Sequence, residues 1–337
     1  VESDDDATSA APYLRLAGEH GGLSWQAGLK YFAFREPRSE GTVFPPPDFQ
    51  PEPAADLVRS ARTYDAWLPT VGLSRRLGPG ATLVASYGRG QIRPYAYLPL
   101  INLYNGNRAA FQAAGVTLDD LFAGYAMETS DTVELGARLR LGRLTARPTV
   151  YRATHDNLLT TVSDPRVGLS YFQNVGQATG TGVELEATYD LSGAVTLFCN
   201  PAWVRLTYDQ DLTFQGNTLA AEGNQVVATP EWTVQAGALM RWGALELTPR
   251  LRYLGERFGD VEHRERIDAA LVADLRAAYT LRDVAGGHRL RVTLEVINLL
   301  DTGYVAVIDA SDDDRAGEAS YHVGAPATAL VSLALGF

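Results

Sequence analysis

The residues of this sequence that could do chemistry lie in stretches rich in turn formers. Asp309, Asp312, Asp313 and Asp314 gather carboxylate oxygens of the kind a hard cation takes. They lack the position-specific spacing of a calcium loop, so a solvated acidic loop is the plainer expectation. Arg93, Tyr95, Tyr97 and Tyr104, together with the distant His322, offer aromatic walls and cationic groups, the composition of a small-ligand vestibule. Arg264 and Arg266 flank His263 without a readable pattern. Catalytic signatures are missing: there is no G-x-S-x-G elbow, H-E-x-x-H helix or Walker loop. A triad assembled from separate strands would be a matter of geometry rather than spacing. The expectation is a protein that is not an enzyme and carries no resident metal or cofactor. Cys199 is the single cysteine, so no disulfide or cysteine-based metal site forms within the chain.

The elements that must position these residues are strands. Val133, Leu135, Ala137, Leu139 and Leu141 alternate with Thr132, Glu134, Arg138 and Arg140, the period of two that puts side chains on opposite faces. Leu290, Val292, Leu294 and Val296 alternate with Arg289, Arg291, Thr293 and Glu295, and Ala325 to Phe337 repeats the pattern to the last residue. Strands are expected at 11–19, 23–34, 64–77, 81–92, 130–141, 144–155, 171–190, 194–208, 229–242, 244–254, 267–281, 289–298 and 324–337. The stretches 35–63, 93–128, 156–168, 209–228 and 255–266 read as loops. Within the second of these, Thr117-Leu118-Asp119-Asp120 resembles an N-cap opening a short helix.

Connections alternate short and long along the chain. No run of apolar residues is long enough for a membrane-spanning helix. Strands of ten or more residues, tight turns at one end and long loops at the other describe a transmembrane barrel, whose lipid face hides in the alternation. A soluble β-sandwich needs no such sorting of loops. The predicted fold is therefore an all-β, antiparallel transmembrane β-barrel with the long loops outward. Trp25, Trp67, Trp203, Trp232 and Tyr253 are placed to supply an interfacial girdle. Alternation turns Glu134, Arg138, Arg140, Glu184, Glu186, Arg250, Arg252, Arg276, Arg291 and Glu295 to the lumen, along with His155. A solvated wall of cross-strand ion pairs is the plain reading of those charges. The net charge of −11 argues against a nucleic-acid partner, which needs a basic footprint.

Three stretches resemble one family. Asn174-Val175-Gly176 followed by Gly182-Val183-Glu184-Leu185-Glu186 is similar to the N-x-G…G-V-E-L-E strand of TonB-dependent outer-membrane receptors. Asn298-Leu299-Leu300-Asp301 with Tyr304 resembles their N-L-F-D-x-x-Y motif, with Leu300 in place of phenylalanine. Gly324-Ala325-Pro326 leading to Phe337 resembles their closing strand, with Ala327 replacing the usual arginine. The resemblance implies a barrel of 22 strands with a plugged lumen, of which 1–337 would be a single partial barrel holding about the last thirteen strands, without the plug domain. It implies energy-coupled uptake of a scarce ligand, most often a ferric siderophore, across the outer membrane of a Gram-negative bacterium. The implied partners are the lipid bilayer, a TonB-type energising protein acting through an N-terminal segment missing here, and the barrel-assembly machinery acting through the C-terminal strand. The alternative is a passive porin or structural barrel that closes on itself.

Overall fold

The computed structural model describes residues 6–94, 97–284, 288–310 and 315–336, without the side chains of Tyr97 and Asp283. One antiparallel sheet of fourteen strands dominates. Its first two pieces, Thr8–Ala10 and β1 (Tyr13–His20), both pair with β2 (Leu23–Glu36) and form one interrupted strand. The break falls at Pro12, which has no N–H to give the ladder; its carbonyl still accepts from Tyr31 N at 3.0 Å. The path continues through β3 (Arg62–Gly78), β4 (Ala81–Ile92), β5 (Glu128–Leu141), β6 (Leu144–Asp156), β7 (Gln177–Ser192) and β8 (Val195–Tyr208). It ends with β9 (Trp232–Trp242), β10 (Leu245–Leu254), β11 (Ala270–Val284), β12 (His288–Ile297) and β13 (Thr328–Gly336). Each strand pairs with its neighbours in sequence, the up-and-down order of a barrel wall. No pairing joins β13 to β1 among the described residues.

Tight turns close one end. Gly21 and Gly22, Gly142 and Gly243 take positive φ there, the conformation two-residue hairpin turns require. At the other end the long connections are folded. Residues 35–63, read as a loop, hold a hairpin of Ser39–Val43 with Glu52–Arg59. The expected strand 171–190 is broken: Leu169–Asn174 pairs back on Leu159–Asp164 in a loop hairpin, and β7 begins only after Gly176 at φ +86°. Further hairpins are Leu212–Phe214 with Asn217–Leu219, Arg257–Phe258 with Arg266–Ile267, and Val305–Asp309 with Ser320–Val323. Between β4 and β5 stand three helices, α1 (Tyr97–Gly106), α2 (Arg108–Ala113) and α3 (Leu118–Ala123). Thr117 caps α3 as its sequence announces: Oγ1 accepts from Asp120 N at 3.2 Å, and Asp120 Oδ2 accepts from Thr117 N at 2.8 Å.

Register assigns the faces. Glu134 stands opposite Ser86 and Tyr151, and Tyr151 opposite Gly182, so all four share one face. The other face carries Leu73, Leu83, Val133, Leu135, Val150, Val183, Leu251, Leu271, Val331 and Leu333, all exposed. An apolar face open on every strand is a lipid face. On β9, Trp232 and Trp242 bracket it, ten residues or ~33 Å apart along the strand. At a tilt near 40° that is about 25 Å of height, the thickness of an outer-membrane apolar band. Among the described residues no helix is long and apolar enough to cross a membrane.

Candidate functional site

The loop end holds two packed clusters. The first lies over β2 to β7 and is a miniature hydrophobic core: Tyr104, Phe111, Leu118, Leu121 and Phe122 are almost wholly removed from solvent. Tyr104 stacks on Phe111 with ring centroids 4.8 Å apart. Polar bonds between loops fix the packing. Asp56 receives Arg108 in a fork, at 2.5 Å and 2.7 Å, and also the Tyr104 hydroxyl at 3.2 Å. The Arg108 hydrogen bonds hold the Asp56 carboxyl down at about 2. Asp119 accepts from Ser60 N and its hydroxyl, at 2.7 Å and 2.9 Å. Asp164, fully buried, takes Arg166 at 2.7 Å and Tyr171 Oη at 2.5 Å. Burial works against its charge, but these donors prevail and its pKa is lowered.

The second cluster lies over β8 to β13. It buries Tyr208, Leu212, Leu219, Ala221, Val227 and Val261, and charged groups with them. Arg257 is buried with one bond, from Nη2 to the Val305 carbonyl at 2.6 Å, and its Nε has no partner among the described residues. Burial alone pushes its pKa down. Asp260 accepts from Glu265 N at 2.7 Å, while its Oδ2 is buried without a donor among the described residues. Glu265 ties this loop to the next by accepting from the Tyr321 hydroxyl and, at 2.6 Å, from Gly317 N. The clusters meet where Phe214 stands edge-on to Tyr171, centroids 5.9 Å apart.

Below the loops the inner face is charged. A cavity of about 230 Å³ is lined by Ser86, Glu134, Arg138, Arg147, Glu184 and Glu186. Ser86 donates to Glu134 at 3.0 Å, and Arg147 meets Glu186 at 3.2 Å with both side chains mostly exposed. Farther round, Arg252 pairs with Asp274 at 3.1 Å, and Glu246 with both Arg291 and Arg241. Arg250 faces Asp274, and Arg276 faces Glu295, directly across the ladder. The register turns His155 inward as expected, opposite Ser130 and Ala178. The wall can therefore hold polar matter of either charge by ion pairing and hydrogen bonding.

The residues expected to line a ligand vestibule do not gather. Tyr104 is fully buried, with its hydroxyl spent on Asp56 and on the Val116 carbonyl, so it is a core residue and not a ligand wall. Arg93 is exposed with its guanidinium 4.2 Å from the centre of the Phe34 ring. His322 is exposed on the Ser320–Val323 strand, in the connection between β12 and β13. Tyr95 and the side chain of Tyr97 lie outside the described residues, as do Asp312, Asp313, Asp314 and Phe337. Asp309 is exposed, and no cluster of metal-ligating side chains occurs among the described residues. The inter-loop bonds of Asp56 and Asp119 had no sequence signal, because their partners in other loops stand some fifty residues away.

The motif residues have structural tasks. Asn174 accepts from Ala126 N at 2.8 Å and donates to the Asn157 carbonyl at 2.6 Å, pinning two loops at their bases. Gly182 leaves room for the Tyr151 ring, which a Cβ would strike. Glu184 is on the inner wall. Asn298, fully buried at φ +52°, donates to the carbonyls of Thr302 and Ala325 at 2.9 Å and 3.0 Å and accepts from Thr302 N at 2.9 Å. Asp301 accepts from Ala327 N at 2.9 Å, and the Tyr304 ring covers Gly324. Together they clamp the end of β12 to the approach to β13.

A family described as TonB dependent receptor-like, beta-barrel, matches residues 2–299. The ferrichrome outer membrane transporter/phage receptor of Escherichia coli (strain K12) is 31% identical over 158 residues, covering 47% of this chain and 20% of that protein. The unliganded ferric citrate transporter FecA superposes with a TM-score of 0.71 at 18% identity, over 98% of this chain and 45% of its own. The ferric yersiniabactin uptake receptor FyuA from Yersinia pestis gives 0.67 at 16% identity, over 96% and 44%. The chain thus spans less than half the length of these relatives.

Proposed function

Because the chain belongs to the TonB-dependent receptor β-barrel family of the outer membrane, we propose that it forms wall and outer loops of an energy-coupled receptor for a ferric siderophore. The observation that carries this reading is the family match over residues 2–299, on a wall whose long loops are folded and stapled at one end. Loops held by internal cores present a preformed surface to a ligand, so binding need not order them first. The ligands named for the relatives, ferrichrome, ferric citrate and ferric yersiniabactin, support an iron chelate as cargo. In this reading 1–337 is one partial barrel, completed by further strands and a plug in the intact protein, and the plug docks on the charged inner wall. Energy comes from a TonB-type partner, and the barrel-assembly machinery receives the last strand. No bond of the cargo is broken; the protein is a receptor and not a catalyst. The ligand surface would include exposed loop groups such as Arg93 and His322.

Growth on ferric chelates tests the reading. A strain lacking the intact protein, starved of iron, is expected to lose growth on at least one ferric siderophore, and to regain it only when both this protein and the energising partner are present. Uptake that persists without the energising partner would replace the receptor with a passive pore.

A further inference from the structure

A second cavity, of about 400 Å³, opens on the same inner wall at its turn end. Arg76, Thr82, Arg138, Arg140, Thr145 and Arg147 line it, and among the described residues no acidic side chain does. Register places all six on the inward face. Thr82 stands between Arg76 and Arg138 across β3, β4 and β5, with the parity of inward Ser86. Arg140 stands opposite Thr145, and Arg147 opposite Glu186. Strands lie about 4.8 Å apart and same-face residues about 7 Å, so Arg76, Arg138 and Arg140 rise from backbone within about 12 Å. None of these three has an ion-pair partner among the described residues, and Arg147 has only its exposed contact with Glu186. The other sector of the wall differs at this height. There Glu246 receives both Arg241 and Arg291, so its arginines are balanced.

We propose that this cavity is an anion site at the inner mouth of the barrel, built for a small polycarboxylate. Each guanidinium offers a planar fork to a carboxylate, and the Thr82 and Thr145 hydroxyls add donors between the forks. A cleft lined by one sign of charge focuses its field and concentrates counter-ions, which the balanced sector cannot do. Several carboxylates on one small molecule engage arginines from neighbouring strands together. An uncharged chelate has nothing to offer them. That such an anion arrives as cargo, a ferric carboxylate chelate leaving the lumen, rests on the receptor reading; the chemistry of the site does not. An acidic face elsewhere in the intact chain is the rival occupant.

The test is equilibrium dialysis of ferric citrate and of iron-free citrate against the purified intact protein in detergent. The wild type is expected to bind, more weakly as salt is raised. Arg138→Gln should weaken binding about tenfold, and adding Arg140→Gln should weaken it further. Arg289→Gln, inward at the turn end but outside the cavity, should leave it unchanged. Ferrichrome, an uncharged complex, should respond to none of these substitutions. The two probes separate the sources of the anion. A loss on ferric citrate alone assigns the site to the cargo, a loss on both assigns it to carboxylates in general, and either supports it. Heat-modifiable migration monitors folding; should Arg138→Gln fail to fold, Arg76→Gln, on another strand, carries the same expectation. Citrate binding that ignores Arg138 and Arg76 overturns the proposal. So does an intact protein that binds neither probe, which would give the cavity to the rival occupant. The assay needs no growth and no energising partner, so its failure and that of the receptor reading are distinguishable.

Discussion

Over β2 to β7 the loops bury rings, Tyr104, Phe111, Phe122 and Tyr171, and tie them with carboxylates that each serve several donors. Over β8 to β13 they bury one ring, Tyr208, among aliphatic groups, together with an arginine and an aspartate that each leave an atom unbonded among the described residues. Both sets cap the same sheet, yet their stability has different sources. The first is a core with its own area of buried apolar surface, and should open as a unit. The second is a set of hairpins latched to one another by single bonds, with buried charge that burial disfavours. An ordered and a yielding region therefore stand side by side on one rim, and the second is where a ligand would most cheaply displace protein contacts.

The largest expected effect that would break this contrast is Phe111→Ala. Removing a fully buried ring should cost about 3–5 kcal/mol locally. Residues 93–127 should then become open to limited proteolysis, while 255–269 keep their wild-type protection. Equal loss at both loops would show that the two clusters form one cooperative unit. Acid gives a middle-sized effect. Asp56 is held at about 2 against an ordinary 3.8, so its contribution is complete above pH 4 and is lost as pH falls from there toward 2. Asp164 is shifted in the same direction. Pepsin nicking of 93–127 should therefore rise across that window, and Asp56→Asn should raise nicking above it and flatten the rise. The smallest effect is Tyr321→Phe, which removes only the hydroxyl bound to Glu265. About 1 kcal/mol is expected. It should appear as faster amide exchange in 255–269 and 315–323, with the first cluster unchanged.

The wall was legible in the sequence because every strand writes its two faces in alternation, and register then follows from the turns. Thr117 and Asp120 announced a helix by local spacing, and α3 obeys. The hairpin of 39–59 was hidden by its prolines and lack of period. The break at Gly176 was hidden because strand chemistry continues on both sides of it. Tyr104 misled for a physical reason: a tyrosine in a long loop reads as exposed, unless the loop is known to build a core of its own. Asn174 and Asn298 showed as motif letters without their task, since the carbonyls they hold are contributed by distant segments.

The Asn298 clamp carries a consequence for engineering. Its amide bonds to the carbonyls of Thr302 and Ala325 close the base of a long excursion from the sheet, and Asp301 repeats the closure through Ala327 N. What lies between is thus insulated from the ladder of β12 with β13. The hairpin of 305–323 is a graft site, where a foreign epitope of different length can be spliced without retuning the wall, provided Asn298, Asp301, Tyr304 and Gly324 stay in place.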